Sequence, residues 1–172
     1  MDAITAEEAL DILRTLGTSD GEVRRRIVEE ARRRLIEAPV DAEEIAESVL
    51  LDLGGIEVED LWDRSGPSRH GYTGPAAAAV DMVEEALEFY ADDIERLGRL
   101  GARESSLGTL MGVVKGLYRF DKESKTEFRD WAEDIAADVA WSLAEKWRKT
   151  ATDRERQAWK NFLARHCPDW AE

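Results

Sequence analysis

The sequence predicts an all-α fold: an antiparallel helix bundle or a short α-solenoid of helix pairs, about seven to eight helices in one domain over residues 1–172. Three observations predict it. Apolar residues recur at spacings of three and four. Capping patterns stand ahead of several of these stretches. Alternating β-branched runs, the mark of strands, are missing.

The elements follow in order. A helix is expected over 5–16, opened by Thr5 with Glu8 and closed at Gly17. The next, 20–37, starts from Ser19 with Glu22. A third, 42–53, starts from Asp41 with Glu44 and ends at Gly54, and a short helix can form around Glu59–Asp63. The clearest amphipathic helix, 76–98, follows Pro75, a residue suited to a first turn. Val80, Val83, Leu87, Tyr90, Ile94 and Leu97 form its apolar stripe. Asp81, Glu84, Glu85, Glu88, Asp92 and Glu95 form its solvated face. After a glycine stop at Gly101 come helices over 104–118, 125–148 and 153–166, the last two opened by Ser124 with Glu127 and by Thr152 with Glu155. Phe128, Trp131, Ile135, Val139 and Leu143 fall on one stripe of the 125–148 helix. Trp141 projects from its other side, within reach of Trp159 and Phe162 on the last helix or of a partner. Val-Glu-Glu-Ala occurs at 28–31 and 83–86, but no fixed period supports a repeat array.

A chain of 172 residues, 43% apolar and 36% charged, can bury a core and is not composed like a disordered segment. No apolar run approaches the ~20 residues of a membrane helix, and the acidic start has no secretory pattern. The lone Cys167 cannot form an internal disulfide, which suits a reducing cytosol. A formal charge of −14 disfavours general binding to nucleic acid or anionic membrane. The charge is uneven: residues 41–64 hold nine acids against one base, and residues 23–39 hold six arginines against three glutamates.

Chemistry-bearing patterns are few. His70, His166 and Cys167 are too few and too scattered for a zinc or di-iron set, and no cofactor is expected. Gly112 and Gly116 flank Lys115 inside a helical stretch, where backbone amides are already bonded, so they suit close helix packing rather than a phosphate loop. The pairs Asp134/Asp138 and Glu84/Glu88 read as solvated helix faces.

Three features suit partner binding. Arg25, Arg26, Arg32 and Arg33 stack in heptad steps, with Arg25–Glu29, Arg26–Glu30, Glu29–Arg33 and Glu30–Arg34 at ion-pair spacing. The acid-free stretch after Arg64, with Arg69, His70 and Tyr72, reads as the longest loop, which Tyr72 can pin to the core. Trp141 is the third.

From about Asp60 onward the chain resembles the helical region that follows the zinc finger in bacterial SWIM zinc-finger proteins. The residues carrying the resemblance are Gly71-Tyr72, the helix Val83–Tyr90, Ile94–Gly101 and Gly116–Asp121. The Cys-x-Cys…Cys-x-His finger itself has no counterpart. The resemblance implies a helical-repeat-like interaction region.

The leading expectation is therefore a noncatalytic helical module of the cytosol that holds another protein in a groove or on a face between helix pairs, binding neither nucleic acid nor membrane. One alternative is an enzyme or small-ligand binder with a dispersed pocket near Arg69, His70 and Tyr72. Another is an acidic inhibitor that mimics nucleic acid.

Overall fold

The computed structural model describes residues 4–37, 40–68, 71–131 and 134–171. Among them the chain forms α1 (Ala6–Ser19), α2 (Gly21–Glu37), α3 (Ala42–Gly54), α4 (Val58–Arg64), α5 (Pro75–Leu100), α6 (Arg103–Glu123), α7 (Glu127–Trp131), α8 (Ile135–Arg148) and α9 (Asp153–His166). Two three-residue strands, β1 (Gly66–Ser68) and β2 (Gly71–Thr73), and a closing 3-10 turn at Pro168–Trp170 complete it.

The fold is a bundle around α6, not a solenoid. In a solenoid each unit touches only its neighbours in sequence. Here α6 packs against α3, α5, α8 and α9. Its residues Leu110, Val113, Val114, Leu117 and Phe120 are almost wholly removed from water. Glycines make the closest of these contacts possible. A Cβ placed on Gly112 would lie 2.7 Å from Cβ of Ile45, and one on Gly116 would lie 2.6 Å from Cβ of Val49. Carbonyl oxygens of Ala42 and Ala46 stand at 2.9 and 2.8 Å from the same points. The glycine-flanked lysine is thus a helix-packing seam, as its place inside a helix implies.

On α5, Val83, Leu87, Ile94 and Leu97 are buried, Val80 and Tyr90 are half-buried, and the acidic face is exposed. Pro75 sits in its first turn, and Gly101 ends it with φ of 78°. The Tyr90 hydroxyl donates to Asp52 on α3 at 2.8 Å. Burial first, and then that carboxylate, push the phenol up to about 12.

Thr5 and Thr152 make full capping boxes with Glu8 and Glu155, and Asp41 accepts from the amides of Glu43 and Glu44. Two expected caps move by one or two residues. Ser19 is the last residue of α1, where its hydroxyl bonds back to the Thr15 carbonyl at 2.8 Å; Asp20 caps α2 by accepting from Glu22 at 2.8 Å. Thr126, not Ser124, accepts from the Arg129 amide. Gly17 lies inside α1, and Gly54 is the last residue of α3 rather than a left-handed stop.

Two larger differences concern element type. The stretch read as one helix over 125–148 is two, α7 and α8, separated at Asp134, whose φ is 67°. The break frees α7 from the stripe of α8. Phe128 packs on Phe120 at 6.4 Å, and Trp131 meets Trp62 edge-to-face at 4.8 Å, 44% exposed rather than in the core. Ile135 and Val139 then face the core from α8. The acid-free loop contains the β1–β2 hairpin, paired Gly66↔Thr73, Pro67↔Tyr72 and Ser68↔Gly71. Its first residue, Gly66, has φ of 117°, which glycine adopts readily. Three-residue strands are too short to show alternation.

Candidate functional site

Among the described residues an extended concavity runs between α5 and α8. It consists of adjoining cavities of about 370 and 410 Å³ that share Ala91, Leu143 and Lys146. Ile94 and Trp147 floor one, and Leu87 and Val139 floor the other. Ala91, with its small side chain, and Gly98, with none, leave this space open.

Charge is uneven along the cleft. One end carries Arg99 and Arg103 together with Glu95 and Glu155, the other carries Glu84, Glu85 and Glu88, and Lys146 stands where the two cavities meet. Arg99 pairs with Glu95 at 3.1 Å. Arg103 is clamped by three acceptors: both oxygens of Glu155, at 2.8 and 2.7 Å, and the Thr150 carbonyl at 2.6 Å. Among the described residues Lys146 has no carboxylate partner.

Glu155 serves two structures at once. It accepts from Arg103, and it closes the α9 capping box through the Thr152 amide and hydroxyl, both at 2.7 Å. The Arg103 hydrogen bond, against the opposing effect of burial, holds its carboxyl at about 2. A folded value below the ordinary 4.5 means stability that is full above pH 4.5 and lost as pH falls through about 2. The Glu155 side chain is only 14% exposed, but the solvated Arg103 reduces the contribution to roughly 1–2 kcal/mol. Thermal melts from pH 7 down to 2 should show this acid-side loss, and Glu155→Gln should flatten that part of the profile while lowering the melting temperature at pH 7.

The residues singled out in the sequence are spread over separate places. Arg69 and His70 lie outside the described residues. Tyr72 on β2 is 74% exposed, so it does not pin the hairpin to the core. Trp141 is 38% exposed; the rings of α9 turn elsewhere, with Trp159 against Trp147 and Phe162. On α2 the arginines are salt-bridged; the Glu30–Arg34 pair forms at the expected spacing, while Arg25 and Arg26 take another partner. Arg25 and Arg26 reach back to Glu22, while Arg33 and Arg34 both hold Glu30 at 2.7 and 2.9 Å. The Arg32 guanidinium lies against Gly101, tying α2 to the α5–α6 turn. None of these residues lines the α5–α8 cleft.

Sequence reasoning missed the apolar face of α1. This helix has no buried residue, and Ile4, just before it, and Leu10, Ile12, Leu13 and Leu16 are 43–63% exposed. Their spacing was readable, but a stripe of that kind is normally a core face.

Other candidates reduce to structure. Cys167 is fully buried, and burial pushes its thiol up to about 12, which makes it an inert core residue. His166, beside Phe162 at 5.1 Å, is lowered chiefly by burial. Asp134 sits at the break before α8 rather than on a shared face with Asp138. Among the described residues no three His, Cys, Asp or Glu side chains are arranged to hold a metal ion, and no helix is long and apolar enough to cross a membrane.

No known protein family, characterised protein or solved structure matches the chain.

Proposed function

We propose that this protein is a noncatalytic helical interaction module of the cytosol whose working surface is the α5–α8 cleft. The observation that carries the reading is the cleft's build: a long apolar floor rimmed by ion-paired charges over one cavity and by Glu84, Glu85 and Glu88 over the other. A small-ligand site encloses most of its ligand and aims a few convergent polar groups at it. An open, elongated groove with an apolar floor and charged rims suits an amphipathic helix, whose apolar stripe fills the floor.

Ser142 lines the cleft and is exposed, so a bulky replacement blocks the groove without touching the core. Ser142→Trp is expected to abolish capture of the protein's partner at an unchanged melting temperature. Equal capture by both forms would contradict the reading.

A further inference from the structure

The two helices that wall the cleft run in the same direction. Leu87 lies with Val139 in one cavity and Ile94 with Trp147 in the other, so residue number rises the same way along α5 and α8. Their amino ends lie toward Glu84 and their carboxyl ends toward Arg99 and Thr150. Parallel neighbours set their dipoles side by side. A helix laid in the groove antiparallel to both opposes its own dipole to theirs, the arrangement that helix bundles favour. From Glu84 to Arg99 the groove runs about 22 Å, the length of about 15 helical residues.

Charge is left unmatched at one end only. Toward the carboxyl ends the arginines already hold carboxylates, Arg99 with Glu95 and Arg103 with Glu155. Toward the amino ends the carboxylates are open. Glu84 and Glu88 are exposed one turn apart on α5, and Asp138 is exposed one turn before Ser142 on α8. Among the described residues none of these three has a cation partner, whereas Glu85 pairs with Arg64. An antiparallel helix brings its C-terminal half over these carboxylates. Cations in that half meet the acidic rims and complement the helix's own dipole as well.

We propose that the cleft takes an amphipathic helix of another protein, antiparallel to α5 and α8, with lysines or arginines flanking the apolar stripe of its C-terminal half. This assignment rests on the cleft being a protein-binding groove and adds the direction and charge of its occupant.

Two synthetic peptides of about 15 residues, identical in composition and net charge, test it. Both carry a leucine stripe at helical spacing with glutamine elsewhere. Lysines flank the stripe in the C-terminal half of one peptide and in the N-terminal half of the other. Equal charge removes the general attraction of a chain with net charge −14 from the comparison. In fluorescence-anisotropy titrations the wild type should prefer the peptide with C-terminal lysines by about fivefold or more. Glu84→Lys combined with Glu88→Lys should remove that preference. Glu29→Lys combined with Glu47→Lys, exposed on α2 and α3 outside the cleft, should keep it. Comparing the same two peptides across variants cancels the difference in their own helicity, and circular dichroism checks that each variant keeps its helices. Ser142→Trp should block both peptides. If Ser142→Trp blocks both but the wild type shows no preference, or one that survives Glu84→Lys with Glu88→Lys, the direction and charge are overturned while the groove stands. Binding of neither peptide, or binding that Ser142→Trp leaves intact, overturns the occupant and the groove together.

Discussion

Phe120→Ala is expected to cost about 3–5 kcal/mol, because it removes a ring from the core and leaves a cavity that its neighbours cannot fill. Phe120 is 1% exposed and packs on Phe128, itself buried. Collapse into the space is resisted on two sides. α6 is held against α3 by the glycine seam, and α7 is fixed by its own short turn, the Thr126 cap and the Arg129 contact with the Asp121 carbonyl at 3.1 Å. For a domain of this length the loss should lower the melting temperature by about 10 °C. Phe89→Ala is the matched control. Phe89 is 76% exposed, so the same chemical change there should leave the midpoint within a degree or two. Chemical denaturation of the pair checks both expectations.

The second large effect runs in the opposite sense, by adding atoms. Gly116→Ala should destabilise the protein by about 2 kcal/mol, although alanine is the better helix former by about 1 kcal/mol. The added methyl lands 2.6 Å from Val49 Cβ and 2.8 Å from the Ala46 carbonyl oxygen. Neither neighbour is the far end of a flexible side chain, so α3 and α6 must move apart along their whole contact. Gly112→Ala meets the same obstacle at Ile45 and Ala42. Gly108→Ala meets only Val40, at 3.1 Å, and a small shift of that residue relieves it. The predicted order of destabilisation is therefore Gly116 and Gly112 well above Gly108. A uniform gain in stability across all three would mean that helix propensity, not the close approach, governs this seam.

Local chemistry made much of this fold readable. The α5 stripe, the Thr5 and Thr152 capping boxes and the stop at Gly101 are decided within a turn or two of chain, and they stand where the spacing puts them. What the sequence hid depends on distant partners. No glycine or proline announces the break before α8, where Asp134 takes a φ of 67°; the rings on its near side, Phe128 and Trp131, meet Phe120 and Trp62, which lie far away in sequence. The Glu22 pairing of Arg25 and Arg26 is a choice among several carboxylates at workable spacing. The cleft was hidden for the same reason. Arg99, Arg103, Lys146 and Glu155 come from four helices and share no motif, so only packing brings them together. The α1 stripe failed in a different way. Its apolar spacing was plain, but spacing cannot say whether a face meets the core of its own chain or another surface.

The most direct test replaces Ser142, in the cleft, with a photo-crosslinking residue in the 172-residue chain. A parallel chain carries the same group in place of Tyr72, on the exposed hairpin. Irradiation in the native cellular background should give a protein adduct, whether a second copy or another chain, from position 142 and none from position 72. Adducts from position 72 alone, or none from 142, would contradict the assignment of the α5–α8 cleft as the surface through which this protein works.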